Sequence, residues 1–416
     1  MNETSFPNPK LRNAFLIAYK AFADLAGKGA LFIITIVAAR RLSAESFGLF
    51  ALGSTLGWMI AVVSDFGIQL HLARAVARHP DAAATLLRTW LRVRLWTAGG
   101  AVTMVAVVLS AGWRSSAVPM TLLALVYACS GLIEFLHYFY RGLSRSDVES
   151  SLTLWQRAAT LVCGLIALAW RPDVTVLAIA MLIPVAVTLV ISLRLAEQIA
   201  RLKSCATTEI ATFRRDVWPI GAGIVLSALY FRIDVFLVQL WAGTEPVAYY
   251  NAVFRLVEAL RLFPAAVLAV VLPSLVRAGD LRPLTRVAVP LTAFAIAATA
   301  VLWLAAGWLI PLIYGARYTP AVPAFRVLLL SFPLLSLNYA LTHQLVSWDG
   351  QRAYAGLCAI ALAINVALNA RLIPLWSIEG AAWATLGTEI FLTIGCGVAL
   401  WNVRAHAPTA HLAMEG

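Results

Sequence analysis

Lys20, Asp24 and Lys28 recur every four residues inside one apolar run, and Arg255, Glu258 and Arg261 recur every three inside another. At 100° per residue the first set spans an arc of about 80° on a helix face and the second about 120°. An ionisable group at the centre of a spanning helix costs at least ~2.5 to 3.5 kcal/mol, so it persists where it faces water or another charge. Each triplet sums to +1, a surplus that a closed structural pair does not need. Cations kept in a wet interior attract an anion. The alternative is that the Lys–Asp pairs lock a bundle together.

Other polar groups share this setting. Arg232 and Asp234 lie two apart, point to nearly opposite sides of a helix, and so are not expected to pair with each other. Asn365 and Asn369 share a face by their spacing of four and are set to hydrogen-bond hydroxyls of a ligand or a neighbouring helix. Arg157, Arg326, Glu134 and Glu389 are single charges within apolar runs. Asp24, Asp234, Glu258 and Glu389 are the candidates for ion coupling or charge compensation. His71, His79, His137, His343, His406 and His411 form no metal-ligand spacing, so no metal site is expected. Neither a P-loop nor a GxSxG or HExxH motif is present, and no catalytic constellation appears. The five cysteines, Cys129, Cys163, Cys205, Cys358 and Cys396, read as reduced packing thiols.

The elements that must position these groups follow from composition. With 61% hydrophobic and 12% charged residues, the 416-residue chain cannot cover a soluble globule with polar surface. Its solvent is a bilayer. At about 20 residues per crossing, spans are expected near 14–38, 47–70, 90–111, 117–140, 152–170, 174–194, 217–240, 247–275, 287–313, 322–346, 353–373 and 379–402. The net charge of +12 is an orientation signal and not a nucleic-acid footprint. Seventeen Lys and Arg fall in the inner segments, from Lys10 and Arg12 to Arg404, against six outside: Arg40, Arg41, Arg114, Arg171, Arg317 and Arg371. That excess places both termini in the cytoplasm.

The longest polar joint falls mid-chain and gives the expected organisation: residues 1–200 as an N-terminal six-helix lobe, 201–216 as a cytoplasmic linker, 217–416 as a C-terminal six-helix lobe. A shift of 200 residues sets Leu42–Phe50 beside Ala242–Tyr250, matching Glu45 with Glu245 and Phe50 with Tyr250. Six spans per half imply parallel repeats, which commonly enclose a central cavity. Gly53 and Gly57 form a GxxxG that lets two helices approach closely. Pro184, Pro264, Pro290 and Pro333 fall inside spans, where each can bend a helix.

Three segments carry a resemblance. The first is Arg41-Leu-Ser-Ala-Glu-Ser-Phe-Gly-Leu-Phe-Ala-Leu with Ser64-Asp-Phe-Gly-Ile-Gln. The second runs from Tyr230-Phe-Arg-Ile-Asp-Val-Phe-Leu-Val through Tyr249-Tyr-Asn-Ala-Val-Phe-Arg-Leu-Val-Glu-Ala-Leu to Val271-Leu-Pro-Ser-Leu. The third runs from Ile313-Tyr-Gly-Ala-Arg-Tyr through Asn365-Val-Ala-Leu-Asn369 to Leu372-Ile-Pro and Glu379-Gly-Ala-Ala-Trp-Ala-Thr-Leu. In this order they resemble the polysaccharide transporter family, the Wzx-type O-antigen and exopolysaccharide flippases of the MOP superfamily. The resemblance implies an all-α membrane protein of about twelve helices in two six-helix lobes around a cationic cavity, in the bacterial inner membrane. It also implies a substrate, an undecaprenyl-diphosphate-linked oligosaccharide moved to the periplasmic leaflet. On that reading Lys20, Lys28, Arg255 and Arg261 attract the pyrophosphate, and Asn365 and Asn369 meet the sugar. The expected partners are that lipid-linked substrate, membrane lipids and a polysaccharide polymerase, with no nucleic acid; no cofactor is expected beyond proton or sodium coupling. Lipid II flippases resemble the chain less, because they usually carry two further C-terminal spans. The rivals are a multidrug and cation antiporter of the same superfamily, which should have an acidic cavity, and a membrane polysaccharide polymerase or ligase, which should have a large loop or a carboxylate cluster.

Overall fold

A computed structural model describes residues 9–201, 213–277, 281–348 and 350–406. Most of the expected linker, with Lys203 and Cys205, lies outside them, as does His411. The described residues form α-helices joined by short turns: α1 (Pro9–Arg41), α2 (Ala44–Asp65), α3 (Ile68–Arg78), α4 (Ala83–Gly112), α5 (Arg114–Gly142), α6 (Ser146–Trp170), α7 (Val174–Arg201), α8 (Phe213–Trp241), α9 (Thr244–Leu260), α10 (Leu262–Arg277), α11 (Arg282–Tyr314), α12 (Val322–Ser347) and α13 (Gln351–His406). Among the described residues ten stretches are long and apolar enough to cross a membrane. One of them, Arg352–Asn402, has 51 residues and is bent at Ser377 (φ 50°), so it supplies two crossings. The jointed pair α9–α10 makes the twelfth rod, so the chain is a multi-pass, all-α membrane protein.

Two compact units divide the molecule, Met1–Val225 and Leu226–Gly416. The division falls inside α8, later than the polar joint that the sequence marks. The opening turns of α8 group with the first unit, where Trp218 packs on Phe66 with ring centroids 5.3 Å apart.

The repeat at an offset of 200 appears as two broken rods. Ser43 opens α2 by accepting the Ser46 N–H at 3.1 Å, a side-chain cap that satisfies one orphan donor of the first turn. The rod breaks at Phe66 and Gly67, both at positive φ, and resumes as α3. In the second unit α9 starts at Thr244, breaks at Arg261 and resumes as α10. Pro264 stands in the first turn of α10, where its missing N–H is no loss.

Within the first unit, α5 is the central element, carrying α2, α3, α4 and α7, while α1 lies on α6. The GxxxG serves the α2–α5 seam: a Cβ on Gly57 would stand 2.9 Å from Tyr127 Cβ, so only glycine permits this approach. In the second unit α12 is central, with α9, α10, α11 and α13 against it. The two arms of α13 run antiparallel, because Leu357 lies over Gly395, Asn365 bonds Thr388, and Leu368 lies over Gly387.

Candidate functional site

In the first unit, α1, α5 and α6 bring one carboxylate between two cations. Lys20 Nζ donates to Glu149 Oε1 at 2.5 Å. Arg141 grips the same carboxylate with two nitrogens, Nη2 at 2.6 Å and Nε at 2.9 Å, the bidentate geometry in which charge-assisted bonds are strongest. Glu149 is 2% exposed, whereas Lys20 and Arg141 are 31% and 35% exposed. Asp24 is more loosely held, 3.8 Å from Lys20. Lys28 is exposed on the same face of α1, and Arg157 of α6 lies against Gly27, its Cγ 3.0 Å from where a Cβ would be. Neither forms an ion pair among the described residues.

Lys20 lies on α1, but it shares its carboxylate partner with a residue of α5. The surplus charge of α1 is therefore set by more than its own triplet. With Arg141, Arg157 and Glu149 added, four cations stand against two carboxylates. Glu149 was legible as chemistry only once α6 is known to begin at Ser146, since a span starting near 152 leaves it in a loop. Asp147 and Glu149 just after Ser146 are the acidic first turn that marks a helix start, which was the available signal.

A second buried charge pair in this unit also escapes spacing arguments. Asp65 accepts the Gly67 N–H at 3.0 Å and the Gln69 N–H at 3.2 Å, closing the end of α3 exposed by the break. Arg94 of α4, 1% exposed, faces it at 3.5 Å.

The second unit holds a small, partly open cavity lined among others by Phe231, Asp234, Glu258, Arg261, Asn365 and Glu389. Its charges are arranged differently. Glu258 bonds Arg255 at 2.8 Å and Arg232 at 3.0 Å. Arg261 leaves that group and stacks on aromatic rings, 4.4 Å from the Phe231 centroid, with its Nη2 donating to Tyr339 at 3.4 Å. The carboxylate of the triplet thus binds one of its own arginines and a third arginine from α8.

The remaining carboxylates are held by hydroxyls and amides. Asp234 receives the Tyr250 hydroxyl and the Val235 N–H at 2.9 Å. Glu389 receives the Tyr230 hydroxyl and the Asn338 amide at 2.7 Å. Arg232 and Asp234, two apart, indeed take different hydrogen-bond partners. Asn369 donates to the Asn365 side chain at 2.8 Å, and Asn365 donates to Thr388 at 3.3 Å. Asn365 lines the cavity; Asn369 is completely buried and serves the packing of the two α13 arms. Tyr230, Tyr250 and Asn338 are residues that no local pattern singles out. Of the single charges, Arg326 stacks on Trp303 at 4.7 Å, and Glu134 is exposed.

Residues 12–278 match the family of polysaccharide biosynthesis proteins. The chain belongs to that family. Solved structures share its fold: an inward-facing multidrug resistance MATE family transporter of the MOP superfamily is similar at a TM-score of 0.73 and 13% identity, over 90% of this chain and 94% of that one. The lipid II flippase MurJ in an inward closed conformation is similar at a TM-score of 0.64 and 13% identity, over 92% and 87%. A MOP superfamily transporter from Pyrococcus furiosus, described as having a binding pocket of reverse polarity, is similar at 0.58 and 12%, over 94% and 95%. A comparison with curated protein sequences finds no match. This family member therefore has the fold of the MOP superfamily transporters.

Proposed function

We propose that this member of the polysaccharide biosynthesis family is a flippase that moves an undecaprenyl-diphosphate-linked oligosaccharide, the repeat unit of an O-antigen or exopolysaccharide, by alternating access. The membrane is the bacterial inner membrane, both termini are cytoplasmic, and the headgroup travels from the cytoplasmic to the periplasmic leaflet. A polysaccharide polymerase then consumes the product. The observation that carries this reading is the cationic surplus of the first unit, four cations to two carboxylates around Lys20. An organic-cation antiporter would be expected to carry the opposite sign.

The physics of the cargo agrees. A sugar hydroxyl taken bare into hydrocarbon costs ~4 to 8 kcal/mol, so an oligosaccharide needs a wet path. Its lipid tail does not. With the inside negative, an uncompensated negative charge gains ~2.3 kcal/mol per 100 mV on moving outward, so the loaded step runs downhill. Resetting the empty carrier is where proton or sodium coupling enters. The cavity of the second unit favours that role, because Asp234, Glu258 and Glu389 all reach it while its cations are already engaged.

The test is reconstitution of the purified protein in vesicles holding a fluorescent polyprenyl-diphosphate oligosaccharide. Wild type should make the label accessible on the opposite leaflet, and a Lys20→Gln, Lys28→Gln variant should fail while folding normally. Equal translocation by that variant would remove the anion role of the first unit.

A further inference from the structure

Lys20 belongs to α1 and Arg141 to α5, yet both side chains end on one carboxylate supplied by α6. Long flexible cations held apart on separate helices would each lose rotamer freedom on meeting an anion, which weakens binding. A buried acceptor that fixes them beforehand removes that loss. Glu149 is placed for this: it is 2% exposed behind two cations that are about one-third exposed. It uses Nε and Nη2 of Arg141, whose guanidinium also lies over the Tyr138 ring at 4.3 Å, so Nη1 is not committed to Glu149; Lys20, 3.8 Å from Asp24 as well, has three N–H donors of which the short contact uses one.

We infer that Glu149 is the positioning residue of the anion site: its carboxylate assembles Lys20 and Arg141 into a single two-cation fork whose outward donors meet a diphosphate. The inference rests on the flippase reading for the identity of the anion. It adds a residue that itself never touches the substrate and carries the substrate's own sign. That sign makes the claim sharp. If Glu149 were only a compensating charge, removing it would strengthen anion binding through simple electrostatics. If it positions the fork, removing it weakens anion binding even though the site becomes more positive.

The experiment measures binding of farnesyl diphosphate, with farnesol as control, to the full-length protein in lipid nanodiscs. Lys20→Gln and Arg141→Gln are each expected to weaken diphosphate binding, and Glu149→Gln is expected to weaken it by about tenfold. In the Glu149→Gln background a further Lys20→Gln change should cost much less than it does in wild type, since the fork is already dispersed. Glu149→Asp keeps the charge on a side chain one methylene shorter; it should bind several-fold more weakly and decides the matter if the Gln variant does not fold. Binding as tight as wild type in either folded Glu149 variant, with Lys20→Gln still impaired, overturns the positioning role and leaves the flippase reading standing. Wild type that binds diphosphate and farnesol equally removes the anion site itself, and the fork with it.

Discussion

In the first unit Lys20 and Arg141 share one buried carboxylate, and Lys28 and Arg157 have no ionic partner among the described residues. In the second unit Arg232, Arg255 and Arg261 stand among Glu258, Asp234 and Glu389, three against three, and each acid receives at least two hydrogen bonds. Each unit carries a comparable broken rod, since α2–α3 and α9–α10 start at matching positions and break at comparable ones. Their charges nonetheless solve different problems. A surplus of cations leaves an anion something to bind. A balanced set neutralises itself, so a ligand or ion entering it must displace a bond already made, and the cost of that exchange can gate a conformational change.

The contrast can be broken at its strongest point by removing the cations without ionic partners. A Lys28→Gln, Arg157→Gln double variant should lose about 100-fold in diphosphate affinity, whereas Arg255→Gln should lose less than about threefold. Equal losses in the two units, measured by titration with farnesyl diphosphate, would erase the distinction. Next in size is stability in the second unit. Glu258→Gln withdraws the counter-charge of Arg232, which is 4% exposed. Withdrawing this counter-charge from a buried cation should cost about 3 kcal/mol in unfolding free energy, measured by denaturant unfolding in detergent, and a change under about 1 kcal/mol would mean that the network is not tight.

A smaller effect tests the hydroxyl bonds. Tyr250→Phe leaves Asp234 with the Val235 N–H, a loss of about 1 to 2 kcal/mol by the same measurement. The least is expected at Asn369, whose side chain bonds only along its own arm. Asn369→Ala should cost about 1 kcal/mol and leave translocation unchanged. Loss of transport in a stable Asn369→Ala protein would return this residue to the substrate path.

What the sequence reveals follows the range over which each signal acts. Hydrocarbon crossings are written in contiguous runs, so the rods were legible to within a few residues, and Ser64-Asp-Phe-Gly and the Glu45/Glu245 match already mark α2 and α9. The triplets on α1 and α9 were legible because helical spacing alone puts them on one face. Their partners were not. Glu149 lies more than a hundred residues from Lys20, and Asn338 and Tyr230 converge on Glu389 from α12 and α8. No spacing rule reaches across helices, so the net charge of a site could be counted only after packing was known. The same reason explains Arg261: its sequence neighbours suggest an anion, while Phe231 and Tyr339, distant in the chain, give its guanidinium two ring faces.

The turn at Ser377 has a consequence for how the protein is made. The backbone there reverses in a short joint between Arg371 and Glu379, and Gly380 is packed so tightly that a Cβ would stand 2.2 Å from the Leu372 carbonyl oxygen. The last two crossings are therefore joined by only a short polar turn, with no long hydrophilic loop to carry through the bilayer. They are suited to leave the ribosome and enter the lipid as one closed hairpin, its backbone groups satisfied within each arm from the start. A bulkier residue at position 380 would then be felt first during insertion, as a nascent chain stalled with its final arm outside, before any step of transport is reached.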